Sequence, residues 1–169
     1  MSIYSLKAIL STFANANGTQ RTIYNLGAIG GISSKVVILF FVAMPFIEYV
    51  LIFNPFVFKA LGIAQCIVLY IVFLSIVMIA VFLITWQIKK SVIKKISPSW
   101  SKYFDKIDLN MVLSSSATPY SKFFDYYAKG LEENQTEESL HHYLLNAFKS
   151  MEEENKELIE AMIKDNKFH

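Results

Sequence analysis

Cysteine is almost absent from this 169-residue sequence: only Cys66 is present, and it lies inside an apolar run. One cysteine cannot form a disulfide within the chain or build a Cys/His metal cluster, so we expect Cys66 to be a small packing residue. His141 and His142 are adjacent and point to different sides of a helix, so they cannot chelate one metal ion from one face. We expect them at the surface, with a ligand contact as the alternative. The sequence therefore predicts no metal site and no cofactor.

Arginine is equally scarce, since Arg21 is the only one. Residues 97–169 hold thirteen acids and eight lysines, a net charge of −5, whereas residues 1–96 hold eight basic residues and one acid, a net charge of +7. An acidic segment without arginine has no guanidinium to grip phosphate, and its charge argues against binding a DNA or RNA duplex. Because no set of nucleophile and base stands out, we expect no enzymatic activity.

Long apolar runs are what the sequence does have. The run from Cys66 to Ile84 is broken only by Tyr70 and Ser75. At about 1.5 Å per residue it covers the roughly 30 Å hydrocarbon core of a bilayer. A second run lies at 36–53. These runs predict a transmembrane hairpin at 35–96, with spans at about 36–53 and 63–86.

The basic residues flank this hairpin on one side. The loop between the spans contains one lysine, whereas four lysines follow the second span and three basic residues precede the first. Positive residues stay in the cytoplasm, so we expect an inner-membrane protein with both termini cytoplasmic. Trp86 is the expected interface anchor, and Lys89 and Lys90 lie where anionic lipid head groups would hold them.

Glu48 is the only acid within the spans. A carboxylate in lipid is costly and is a functional candidate by default. It either reaches the interface or sits protonated against a neighbour, or it lines a pore or pairs helices. Both interpretations stay open at this point.

Residues 1–34 form an amphipathic segment before the hairpin. Apolar residues recur at helical spacing from Ile3 to Phe13, and Asn17-Gly18 is a stop signal. We expect this short helix to lie on the inner leaflet rather than on another domain. The glycine-rich stretch 27–31 is interpreted as a flexible joint.

Residues 97–169 are expected to form a small all-helical cytosolic domain for sensing and oligomerisation, which makes the fold class all-α. Helix start signals occur at Ser97-Pro98, Thr118-Pro119 and Thr136, and Gly130 is the expected end of the middle helix. The last helix carries apolar residues at spacings of 4, 3, 4, 3 and 4, with an asparagine in the series, which predicts a heptad seam between copies of the chain. Its members are Leu144, Phe148, Met151, Asn155, Leu158 and Met162. An ordinary core-facing helix is the alternative.

A serine-rich loop at 113–120 is the expected ligand site, with a plain connector as the alternative. Hydroxyls and a helix N-terminus can receive phosphate or ribose, a lysine adds charge and a tyrosine can stack on adenine. The candidates are Ser114, Ser115, Ser116 and Thr118 for the hydroxyls, Lys122 for the charge and Tyr120 for stacking.

The two spans, the KKSVIKK exit at 89–95 and the small helical C-terminal domain together resemble the membrane-anchored ancillary effectors of type III CRISPR defence that respond to cyclic tetra-adenylate. The resemblance is architectural and rests on no signature motif. It implies a tetramer, a cyclic oligoadenylate site at the subunit junction, and pore opening or membrane disruption on binding. The rival interpretation is a non-enzymatic two-span subunit of a larger secretion or envelope assembly that docks a protein partner.

Overall fold

The computed structural model describes residues 4–114, 116–133 and 136–166. Within these ranges the chain is all-helical and contains no strand beyond one isolated bridge between Ala14 and Gln20. The elements are α1 Leu6–Phe13, a short 3-10 helix Leu26–Ile29, α2 Ser34–Ile52, α3 Pro55–Leu61, α4 Ile63–Tyr103, α5 Leu109–Leu113, α6 Phe123–Glu132, α7 Glu137–Glu154 and α8 Lys156–Asn166.

Two helices, α2 and α4, are long and apolar enough to cross a membrane. Their most apolar 18-residue stretches have mean hydropathies of 2.2 and 3.2. In α2 only 11% of that stretch is buried inside the protein, and in α4 none is. The core helix of a water-soluble protein would bury such a surface against other elements, so these faces are suited to lipid.

The connection between α2 and α4 contains the short helix α3. Asn54 caps α3 by accepting hydrogen bonds from the amides of Phe56 and Val57, and Gly62 starts α4 with a φ of 81°. Asn54-Pro55 and Gly62 thus mark the two ends of α3. The thiol of Cys66 is fully buried 3.8 Å from the carbonyl oxygen of Ile52, which confirms its packing role.

The second half of α4 extends beyond the apolar stretch and is the central helix of a helical domain, which comprises the described residues of 4–33 and 88–166. Val92, Ile96 and Trp100 recur every four residues and are each at most 1% exposed. The predicted helix start at Ser97-Pro98 is wrong, because Pro98 lies inside α4 and Ser97 donates to the carbonyl of Ile93 at 2.7 Å. A proline costs a helix interior about 3 kcal/mol. Burying large side chains offsets this cost at roughly 1.5–3 kcal/mol each.

The placement of α1 on the inner leaflet is also wrong. Leu6 and Ile9 are fully buried in the same core as Trp100. The amide of Tyr4 donates to Ser99 Oγ at 3.2 Å, and the amide of Leu6 donates to a carboxylate oxygen of Glu137 at 2.7 Å. Helix α1 packs in the same core as the second half of α4, and the sequence pattern of α1 alone does not show which surface it covers. The N-terminal segment therefore belongs to the helical domain.

Two further boundaries differ from the sequence prediction. Helix α6 begins at Phe123 rather than Pro119, and it runs through Gly130 instead of ending there. Gly130 is buried where α6 meets α7, and a Cβ at this position would come within 2.9 Å of Leu140. The missing side chain thus serves close packing rather than a helix end.

The last predicted helix starts at Thr136 as expected, but it is interrupted at Asn155. Leu144, Phe148 and Met151 are at most 1% exposed in the core of their own domain. These three residues are therefore core residues of this chain and not a seam between copies. The remaining predicted seam positions, Leu158 and Met162, lie on the separate helix α8 and are half-buried.

Candidate functional site

The predicted ligand loop is folded back on the protein. The hydroxyl of Thr118 donates to the carbonyl of Met111 at 3.0 Å, and Ser114 Oγ accepts from the amide of Ser116 at 3.1 Å. Ser115 lies outside the described residues. Two of the expected phosphate or ribose donors therefore already serve the loop itself.

Tyr120 cannot stack on a base as it stands. Its side chain is 7% exposed, and its ring meets the ring of Phe148 edge to face at 5.4 Å. Its hydroxyl donates to Glu152 at 2.9 Å. Burial, together with the hydrogen bond to Glu152 and its charge, raises the pKa of Tyr120 to about 12. The expected stacking role is thus corrected: Tyr120 is a packing residue that joins the loop to α7.

Lys122 is also engaged, since its Nζ lies 2.8 Å from a carboxylate oxygen of Glu154. The hydrogen bond to Glu154 and its charge raise the pKa of Lys122. Asn155 adds a third link by donating from its side chain to the carbonyl of Pro119 at 3.1 Å. Because Glu152 and Glu154 lie beside it, this loop is a poor binding site for an anion. Its three contacts instead connect the segment after α5 to the end of α7.

The two adjacent histidines have different surroundings. His141 Nε2 lies 2.9 Å from the carbonyl oxygen of Tyr103, whereas His142 is exposed. Across the described parts of the chain, no group of three His, Cys, Asp or Glu side chains could hold a metal ion.

A cavity of about 670 Å³ opens on the other side of the helical domain, between α1, the turn at 14–21, α6 and α7. Two cations, Lys7 and Arg21, line it together with one carboxylate, Glu137. Tyr127 and Leu140, both buried, supply apolar walls. This combination of a few charges with apolar walls is typical of small-molecule sites.

Arg21 belongs by sequence to a segment outside the helical domain, but the structure places it inside. Its Nε donates to the carbonyl of Ala14 at 2.6 Å, and its Nη1 donates to Ser34 Oγ at 3.4 Å. The tight turn at Asn17-Gly18 brings it there, because the chain reverses and forms the bridge between Ala14 and Gln20. A turn signal in the sequence could have indicated this reversal, but not which helix it meets.

A second cleft, of about 450 Å³, lies where α4 leaves its apolar stretch. It is lined by Trp86, Lys89, Lys90, Ile93, Lys94 and Asn110. Lys90 Nζ stands 5.6 Å from the centre of the Trp86 ring, and Lys89 Nζ stands 5.8 Å from the centre of the Tyr24 ring. The predicted anchor and the predicted lipid-facing lysines are thus neighbours.

Glu48 lies on α2 and is 8% exposed. Its Oε2 is buried and has no hydrogen-bond partner in the part of the chain that the structure describes. This burial fits a carboxyl group that sits against a neighbour, and it leaves both interpretations of Glu48 as predictions. A buried oxygen without a donor is costly, so Glu48 remains a candidate for a function in the hairpin.

The serine-rich loop is therefore a poor candidate for the ligand site. The structure offers two other clefts, one beside α1 and one beside the apolar stretch of α4. No family model, curated protein or solved structure matches the chain.

Proposed function

We propose that the chain is a two-span protein of the inner membrane that senses a cytosolic ligand in its helical domain and transmits the binding event to its transmembrane hairpin. Both termini and the helical domain then lie in the cytoplasm. The observation that carries this proposal is α4. One helix, Ile63–Tyr103, contains both the most apolar exposed stretch and the central core helix of the domain.

The continuity of α4 supports mechanical coupling. Between the apolar stretch and the buried Trp100 there is no glycine, and the helix passes through Pro98 without ending. A rotation or tilt of the domain must therefore move the membrane end of the same rigid element. The lysines beside Trp86 stand where anionic lipid head groups would fix the pivot.

The resemblance to CRISPR ancillary effectors makes cyclic tetra-adenylate the first ligand to test. In this proposal its binding rearranges the hairpins of a homo-oligomer, a tetramer if the resemblance holds, and opens or disrupts the bilayer. The ligand must bind outside the loop at 114–122, because Tyr120 and Lys122 are paired with acids there.

The test uses full-length protein in dye-loaded vesicles. Cyclic tetra-adenylate is expected to raise the melting temperature by mass action and to release dye. Replacing Lys90, Ser91 and Lys94, all exposed on α4, by glycine should abolish release without abolishing binding, since glycine weakens a helix by about 1 kcal/mol per residue relative to alanine. The same three residues replaced by alanine are the control, because this variant loses the same two lysines but keeps the helix, and it should release more dye than the glycine variant. Equal release from both triple variants would contradict coupling through α4.

A second candidate is a membrane-anchored subunit that docks a protein partner. Helix α8 favours it, because Ile163 is 52% exposed and Leu158, Ile159 and Met162 are only half-buried, which leaves an apolar face partly open. This candidate predicts neither a thermal shift nor dye release with any cyclic oligoadenylate. It also predicts that Ile163→Asp leaves the melting temperature of the isolated protein unchanged.

A further inference from the structure

We infer that the cavity lined by Lys7 and Arg21 is the ligand site of the helical domain, and that it takes a small organic anion bearing phosphate and an apolar or planar body. This inference deepens the proposed sensing function and rests on it. The site is independent of the serine-rich loop, because it lies between α1, the 14–21 turn, α6 and α7.

The charges of the cavity favour an anion. Neither Lys7 nor Arg21 forms an ion pair within the described residues, and the side chain of Lys7 is exposed. Arg21 uses Nε and one Nη1 hydrogen bond for Ala14 and Ser34, which leaves further guanidinium N–H groups for a ligand. The one acid, Glu137, is committed through Oε1 to the amide of Leu6. The cavity therefore contains two cations and one carboxylate, and that carboxylate already accepts a backbone hydrogen bond.

The walls of the cavity suit the rest of such a ligand. Tyr127 and Leu140 present apolar surface, and Ser11 and Asn15, whose side chains also donate to Ala8 and Thr19, contribute a hydroxyl and an amide to the lining. The volume of about 670 Å³ lies within the range of roughly 300–1,000 Å³ that small-molecule sites occupy. An inorganic ion alone would leave most of this space unfilled.

One contact links the cavity to the start of α2, and a second links the segment before α1 to the domain part of α4. Arg21 reaches Ser34, which is 3% exposed at the first position of α2. Helix α1, which carries Lys7, follows the Tyr4 amide that donates to Ser99 on α4. A ligand that draws Lys7 and Arg21 together would therefore act on the first position of α2 and, through α1, on the domain part of α4.

The experiment measures binding to full-length protein in lipid nanodiscs, with ATP and cyclic tetra-adenylate as probes at up to about 1 mM and adenosine as the probe without phosphate. At least one phosphorylated probe should bind, and adenosine should not. Lys7→Gln is expected to weaken binding by about tenfold or more, since it removes a charge-assisted hydrogen bond. Ala16→Trp, at an exposed rim position, should block the cavity sterically without changing its charge. Lys102→Gln, on the exposed side of α4, is the matched control and should bind normally.

Loss of binding in Lys7→Gln and Ala16→Trp, with an unchanged melting temperature of the free protein, supports the site. Absence of binding by both phosphorylated probes overturns it. If Lys7→Gln and Ala16→Trp both bind the probe normally, the ligand site lies elsewhere and this inference is wrong. Dye release on binding would in that case still support the sensing function. Binding at this site without dye release would keep the site and contradict the effector function.

Discussion

Gly18 lies directly against Ala128, so that a Cβ added to Gly18 would come within 2.6 Å of the Cβ of Ala128. Gly18 also has a φ of +81°, a conformation that L side chains rarely adopt. This contact packs the turn at 14–21 against α6, and residues of both elements line the Lys7 and Arg21 cavity.

Gly18→Ala should therefore destabilise the protein strongly. Gly30 provides the matched control, because it has a φ of +80° but no neighbouring atom within 4 Å of the place that a Cβ would take. We expect Gly30→Ala to cost about 1–2 kcal/mol of unfolding free energy from backbone strain alone. Gly18→Ala should cost roughly 1–3 kcal/mol more, from overpacking against α6. Denaturant unfolding in detergent checks this, and equal losses would mean that the turn does not pack on α6.

Asn155→Ala should reduce stability and leave the oligomeric mass unchanged. The Asn155 side chain donates to the carbonyls of Pro119 and Met151 at 3.1 and 2.8 Å. Losing these bonds should cost about 1–2 kcal/mol. Light scattering and thermal unfolding measure the two effects, with Asn146→Ala on the exposed face of α7 as the control. A changed oligomeric mass at unchanged stability would support the predicted heptad seam instead.

Alkaline pH should weaken the joint between the loop and α7 through Tyr120. Because the folded state raises the pKa of Tyr120 from 10.0 to about 12, its neutral form stabilises the fold fully below pH 10. This contribution is lost as the pH rises from 10 through 12, where an ionised Tyr120 would face Glu152. Unfolding free energies measured across this window should fall more steeply for the wild type than for Tyr120→Phe. Parallel curves would show that Tyr120 does not donate to Glu152 in solution.

Glu48→Met should leave the hairpin as stable as before or stabilise it by about 1–3 kcal/mol, because it removes a buried oxygen that has no donor among the described residues. Thermal unfolding in micelles measures this, with Gln65→Met at an exposed position of α4 as the control. If dye release is lost in Glu48→Met while stability holds, Glu48 acts in the membrane step. A marked loss of stability would instead mean that Glu48 has a stabilising contact in the working assembly.

The sequence predicts those elements that depend on local chemistry. Two apolar runs are recognisable because lipid requires length and composition rather than particular contacts. Thr136 caps α7 as predicted, since its side chain accepts from the amide of Ser139 within the same turn. Cys66 packs as a small apolar residue, which needs no knowledge of its neighbours.

The errors arise where tertiary packing overrides a local signal. Ser97-Pro98 resembles a helix start, but Trp100 and its neighbours bury enough surface for α4 to continue. Phe148 satisfies a heptad and a core position equally well, and spacing alone cannot distinguish them. A linear charge count places Arg21 with the wrong segment, because it does not show that the chain folds back onto α6.

The continuity of α4 between its apolar stretch and the helical domain is tested most directly by a spin-label distance. The labels belong at Ser75→Cys and Lys102→Cys, both exposed on α4, in a Cys66→Ala background and in nanodiscs. One unbroken helix places these positions about 40 Å apart, at about 1.5 Å rise per residue. We predict a single narrow distance near that value. A broad distribution, or a distance well below it, would show that the helix breaks between membrane and domain, and coupling through α4 would have to be abandoned.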